Sequence, residues 1–184
     1  MPTVTIRPDS TVSAGNWSVA DANIPGQIND QDDSTSVYNT TVNQSFQVNL
    51  DDVSLSGATF NSFTVTVRAA VSGKGSSEWN TRLLDLVGGS TLSSTTLTTS
   101  SPSFSDFTAG SGSFSAGFSE TAVNGLLIRI ATLNNTQCVF AEVSVEIDYT
   151  PGGYGQNVNT VAAANIGKVN TVAAADIGKV NSVD

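Results

Sequence analysis

The chain has 184 residues, a formal net charge of −9 and a pI near 4.1. It contains no His, one Cys and seven Lys plus Arg. Such an acidic surface repels nucleic-acid phosphates. The lack of imidazole excludes Ser-His-Asp and Cys-His catalysis and zinc sites built on His.

The length suits one domain with an appendage. Val and Thr favour pleated, half-buried surfaces, and Ser, Asn and Gly favour turns, so the composition reads as all-β. No apolar run approaches the ~18 residues of a membrane span. The start, Met1-Pro2-Thr3-Val4-Thr5-Ile6-Arg7, lacks the apolar core of a signal peptide. The expectation is a protein made in a cytoplasm, with neither membrane nor nucleic acid as partner. Asn-x-Ser/Thr triplets at Asn16, Asn39, Asn43 and Asn134 then follow from composition alone.

In chain order, short strands are expected at 3–7 and 16–20, with Trp17 a core residue. The stretch Asn29-Asp30-Gln31-Asp32-Asp33-Ser34-Thr35 concentrates carboxylates. Calcium takes hard oxygen ligands in such loops, which makes Asp30, Asp32 and Asp33 candidate ligands of a structural calcium, with a solvated turn as the plainer reading. Phe46, Val48 and Leu50 alternate with Gln47 and Asn49. Phe63, Val65, Val67 and Ala69 alternate with Thr64, Thr66 and Arg68. A period of two marks half-buried strands.

Ser72-Gly73-Lys74-Gly75-Ser76 lacks the upstream Gly of a phosphate loop and is expected to be a hairpin loop. Further strands follow at 79–87, with Trp79 in the core, and at 92–98, 104–109 and 126–133. Val87-Gly88-Gly89-Ser90 punctuates the first two. From Cys138 to Tyr149 the alternation is longest. Val139, Ala141, Val143, Val145, Ile147 and Tyr149 fall on one face, with Glu142, Ser144, Glu146 and Asp148 on the other. Cys138 is a small core residue. Glu146 and Asp148 are ~7 Å apart at a strand rise of about 3.4 Å per residue, a spacing open to glycoside hydrolysis but commonplace on a solvated face. Eight or nine short strands before residue 150, without a helical stripe, predict an antiparallel β-sandwich or jelly roll over 1–150.

Pro151-Gly152-Gly153-Tyr154-Gly155 opens a Gly-rich linker over 151–157, and Tyr154 within it is an exposed aromatic able to stack on a ligand. The remainder, 158–184, repeats every eleven residues: Val-Asn-Thr-Val-Ala-Ala-Ala-Asn-Ile-Gly-Lys, then the same with Asp for Asn, then Val-Asn-Ser-Val-Asp. A unit so short cannot bury its own apolar side chains and must stack on copies, another chain or the domain. Val158, Val161, Ile166, Val169, Val172, Ile177 and Val180 are the expected assembly contacts. An eleven-residue period also suits a right-handed helical supercoil, but Gly in each copy costs about 1 kcal/mol in a helix, which favours strand-and-turn units.

Several segments resemble small virion proteins of tailed bacteriophages: Thr5-Ile6-Arg7-Pro8 followed by Trp17, Asp32-Asp33-Ser34-Thr35-Ser36-Val37-Tyr38, Val65-Thr66-Val67-Arg68-Ala69, and Val143-Ser144-Val145-Glu146-Ile147-Asp148-Tyr149. Ile166-Gly167-Lys168-Val169-Asn170-Thr171-Val172 is similar to the Ile-Gly-Lys-Val-Asn-Gly-Val repeats of phage and viral structural proteins, with Thr in place of Gly. The resemblance implies a non-enzymatic virion protein, a capsid decoration, cement or head-appendage component. Its partners would be itself, as a homotrimer, and other capsid or tail proteins. The alternative is a receptor- or glycan-binding tail or fibre module that recognises a host surface glycan.

Overall fold

The computed structural model of the chain describes residues 2–15, 17, 23–30, 32–39, 42–86, 90–134, 137–152, 168–169 and 172–173. The strand expected at 16–20, apart from Trp17, lies outside these residues, as do Tyr154, Val158, Val161, Ile166, Ile177 and Val180.

The strands are β1 (Thr3–Ile6), β2 (Pro8–Ser13), β3 (Val37–Asn39), β4 (Ser45–Leu50), β5 (Thr59–Val71), β6 (Ser77–Asp85), β7 (Ser90–Thr99), β8 (Ser105–Ser113), β9 (Leu126–Thr132) and β10 (Cys138–Thr150). Two single-turn helices interrupt them, α1 (Pro25–Ile28) and α2 (Glu120–Val123). The first sheet runs β1-β10-β5-β8, with β3 also paired to β10; the second runs β2-β4-β9-β6-β7. Every described pairing is antiparallel. The architecture is an antiparallel β-sandwich of jelly-roll type.

The alternation read from the sequence turns into the layer between the sheets. Phe46, Val48 and Leu50 of β4, Phe63, Val65, Val67 and Ala69 of β5, and Val143, Val145 and Ile147 of β10 are buried in one core. Burial of each such Val, Ile or Phe contributes about 1.5–3 kcal/mol. Trp17, Phe46, Phe140, Trp79 and Phe107 form an aromatic chain at one end, with centroids 4.8–6.3 Å apart. Phe60, Phe63, Phe114 and Phe118 form another, in which Phe114 and Phe118 stack at 4.5 Å. Cys138 is buried, and burial pushes its thiol up to about 12, outweighing hydrogen bonds from Ser77 and the Val139 backbone.

The structure corrects the reading of β10. A bulge between Phe140 and Glu142 reverses the facing of the strand, so Cys138 and Phe140 point inward and Val139 does not. A bulge adds one residue to one strand, and a pattern of pure alternation cannot register it. Ala141, at the bulge, is buried as well.

The expectation of a hairpin at 72–76 is also corrected. The strand before it, β5, belongs to the first sheet, and the strand after it, β6, to the second. The segment is an arch between sheets, with Gly73 and Gly75 at φ +105° and +119°, a region open to glycine at no steric cost. Composition marks the turn but does not say which sheet the next strand will join.

The long connection from β4 to β5 is tied down by α2. The Ser119 hydroxyl caps that turn by accepting from the Ala122 N–H at 3.2 Å. Asn124, just after it, accepts from the Val53 N–H at 2.8 Å and donates to the Val53 carbonyl at 3.1 Å. Glu120 accepts from the Leu55 N–H at 2.7 Å.

In the repeat region, β11 (Lys168–Val169) and β12 (Val172–Ala173) pair antiparallel, with Lys168 opposite Ala173 and Val169 opposite Val172. No helix among the described residues is long and apolar enough to cross a membrane.

Candidate functional site

The acidic loop before β3 is satisfied from within the chain. Asp30 accepts from the Thr35 hydroxyl at 2.8–2.9 Å and from the Asp32 N–H at 3.1 Å. Asp32 accepts from the Ser34 N–H at 2.8 Å, the main reason its carboxyl sits below the ordinary value. Asp33 forms a bidentate pair with Arg68 at 2.6 and 2.8 Å, which lowers it too, and Arg68 also donates to Asp106 at 3.0 Å. The loop is thereby clamped to β5 and β8. No group of three or more His, Cys, Asp or Glu converges as a metal set among the described residues.

The carboxylates of β10 lie on the outer face of the first sheet, where Glu142 accepts from Arg7 at 3.4 Å. Thr66 pairs with Ser144 and Thr64 with Glu146 along the same face. Glu146 and Asp148 thus belong to a ladder of side chains along that face, Glu146 exposed and Asp148 half-buried. Trp17 and Trp79 are core residues, as expected, and are not available as ligand platforms. Tyr38 is 41 % exposed on β3.

The opposite outer face, on the second sheet, is built differently. Because Phe46, Val48, Ile128, Ile130, Thr81 and Leu83 are buried, the residues between them on β4, β9 and β6 project the other way. The register sets Gln47, Arg129, Arg82 and Ser94 side by side across four strands. The next row is Ser45, Ala131, Asn80 and Thr96. A groove of about 380 Å³ runs over these rows, lined by Asn43, Asn80, Arg82, Thr96, Arg129, Ala131, Thr132 and Leu133.

The polar groups of the groove hold one another in place. Asn80 Nδ2 donates to the hydroxyls of Ser94 and Thr96 at 3.2 and 3.3 Å, and its Oδ1 accepts from Arg82 Nε at 3.0 Å. Arg129 Nε donates to the Ser45 hydroxyl at 3.2 Å. Asn43, at the rim, has φ +58°, a conformation that Asn tolerates better than most residues. Leu133 adds an apolar surface, 40 % exposed. The result is a concave array of amides, hydroxyls and guanidiniums beside one aliphatic patch, which can hydrogen-bond a polyhydroxylated ligand from several directions.

Sequence reasoning missed this site. Arg82 and Arg129 sit on β6 and β9, which pair only through the jelly-roll crossover. The one local signal was Ile128-Arg129-Ile130, a cation between two core residues, which places the guanidinium on an outer face.

No family model matches the chain, and no curated protein matches it. Among solved structures, the chain is similar to truncated AlyQ with CBM32 and alginate lyase domains, at 19 % identity and TM-score 0.42 over 85 % of this chain; it spans only 36 % of that one. It is also similar to the CBM36-1 domain of a multidomain xylanase from the hindgut metagenome of Trinervitermes trinervoides, at 12 % identity and TM-score 0.46 over 85 % of this chain and 100 % of that one. A third similarity is to the C-terminal CBM6 of LamC, a marine laminarinase from Zobellia galactanivorans, at 10 % identity and TM-score 0.43 over 79 % and 98 %.

Proposed function

We propose that the sandwich is a non-enzymatic binding module that captures a glycan on the outer face of its second sheet. The observation that supports this reading is the groove over β4, β9, β6 and β7, where Asn80, Arg82, Thr96 and Arg129 converge. Its donors and acceptors are linked to one another, so they are pre-oriented and lose little freedom on binding. An open groove along a sheet face, with extended rows of such groups, suits an oligosaccharide better than a small compact metabolite. The test is a glycan array followed by calorimetry on the full chain and on Asn80→Ala. The reading requires at least one oligosaccharide class to bind, and the binding to weaken in Asn80→Ala at an unchanged melting temperature. A chain that binds no glycan on the array rules it out.

A second reading concerns how the module is carried. The eleven-residue repeat and the resemblance of several segments to phage virion proteins favour a structural component of a tailed bacteriophage, displayed on the capsid or tail and assembled through 158–184 as a homotrimer. The pairing of Val169 with Val172 in an antiparallel ladder supports a strand-and-turn repeat, able to add strands from further copies. Each copy of the repeat offers two Val and one Ile per eleven residues, too few to offset about 1–2 kcal/mol per residue of backbone ordering without partner chains. Light scattering on the full chain and on a version ending at Thr150 checks this: the full chain should be oligomeric and the shortened one monomeric. Two monomers, with a tail that proteases cut in intact particles, would reject the assembly role.

A further inference from the structure

The four arginines of the chain have two different fates. Arg68 is neutralised by Asp33 and Asp106, and Arg7 by Glu142. Arg82 and Arg129 form no ion pair among the described residues, and they stand directly opposite each other on neighbouring strands. Both line the same groove. In a chain of net charge −9 with 16 acidic residues, carboxylates to neutralise them are plentiful in composition. Like charges directly opposite across a ladder are destabilising. A repulsive pair without acids, in so acidic a protein, makes physical sense where an outside anion completes it.

The local geometry fits that role. Each guanidinium spends its Nε on a neutral acceptor, Asn80 Oδ1 for Arg82 and Ser45 Oγ for Arg129. Neither terminal nitrogen of either has a protein partner among the described residues, so four NH2 edges remain as donors across one strand spacing, about 4.8 Å. Side chains rising from directly paired positions on neighbouring strands can reach one carboxylate from both sides with charge-assisted bonds. Glu78, on the same face two residues before Asn80, makes no ion pair with either arginine among the described residues. The register neighbours of the pair, Gln47 and Ser94, and those of the next row, Asn80 and Thr96, are neutral.

We infer that the Arg82–Arg129 pair is the subsite for the carboxylate of an acidic sugar, a uronic or similar carboxylated residue within an oligosaccharide. The inference rests on the glycan-binding reading above and adds the charge of the ligand to it. The neutral amides and hydroxyls of the neighbouring row would take the ring hydroxyls, and the arginine pair the acidic group.

The experiment is calorimetry on the full chain with three probes: oligogalacturonate, a neutral galactose oligomer of equal length, and free acetate. Arg82→Gln and Arg129→Gln are measured beside the native protein, with melting temperatures as a check on folding. The acidic oligomer should bind at least about tenfold more tightly than the neutral one, and either substitution should remove that advantage while sparing residual neutral binding. The advantage should also shrink at high salt, because partly exposed charges are screened. Equal affinity for acidic and neutral oligomers overturns the acidic-sugar subsite and leaves glycan binding standing. Acetate binding as tightly as the oligomer overturns it in favour of an adventitious ion only. Binding of neither oligomer overturns this inference; failure across the whole array removes the glycan reading as well. If one substitution unfolds the chain, the other variant and the salt series still decide the matter.

Discussion

Asn124 holds both backbone groups of Val53, accepting from its N–H at 2.8 Å and donating to its carbonyl at 3.1 Å. One amide side chain thereby replaces two rungs of a ladder that the connection between β4 and β5 does not have. Asn124→Ala removes both bonds and leaves part-buried backbone groups unpaired. The expected loss is about 1–3 kcal/mol, from roughly 0.5–1.5 kcal/mol per bond. Urea denaturation of the two proteins measures it, and Asn124→Asp, which keeps only the acceptor, should fall between them.

The bulge in β10 assigns opposite environments to adjacent residues. Phe140 touches the rings of Trp17, Phe46 and Trp79, so Phe140→Ala should cost about 3–5 kcal/mol. Val139 is on the outer side and only half-buried, so Val139→Ala should cost less than about 1 kcal/mol. Comparable losses for the two would mean that the strand keeps a single facing throughout. Further along, Val145→Asp should prevent folding altogether, because an unpaired carboxylate in the core costs several kcal/mol.

Asp33 gives the protein an acid-sensitive clamp. Its pairing with Arg68 lowers its folded pKa below the unfolded value of about 3.9. A depressed carboxylate contributes stability that is fully present above the unfolded pKa and is lost as pH falls through the folded one. The native protein should therefore loosen below about pH 4, first at the loop over 30–35. Hydrogen exchange in that loop, compared with Arg68→Met, detects it: the variant should show the loosened loop already at neutral pH.

Calcium at the same loop is a separate proposal with its own consequence. Asp33 would have to leave Arg68 before joining Asp30 and Asp32 around an ion. If the loop takes calcium, millimolar calcium raises the melting temperature, since a ligand that binds only the folded state stabilises it. Arg68→Met should enlarge that rise by freeing Asp33. An absent shift in both proteins, against chelator, would dismiss a calcium site at these residues.

Much of the sandwich could be read from the chain because the relevant signal is local. Val65, Val67, Val143, Val145 and Ile147 alternate with polar neighbours, and a buried sheet face requires that alternation wherever the strand is regular. What escaped was of two kinds. Short features fell below any period: β2 over Pro8–Ser13, the single turn at Glu120–Val123 and the bulge after Phe140. Non-local pairings were the other kind. The facing of Arg82 and Arg129 depends on the crossover that sets β6 beside β9, and neither strand carries any mark of its neighbour. The acidic loop was visible as a cluster of charges, but its partner Arg68 lies far along the chain, so its electrostatic role emerged only with the fold.

The register of β1 against β10 has a mechanical meaning. The Pro2 carbonyl accepts from the Tyr149 N–H at 3.1 Å, and Thr3 stands opposite Asp148, so the chain enters and leaves the sandwich at one corner. A load applied between those two points would open the β1–β10 ladder one rung at a time, like a zipper, at low force. A load applied between the exit and the arch at 72–76 would instead pull β10 lengthwise against β5, straining its rungs from Thr59 to Val71 together. A module tethered at the exit and gripping its target across the second sheet meets force along a different path from one pulled at that corner, and its resistance depends on where the tether is attached.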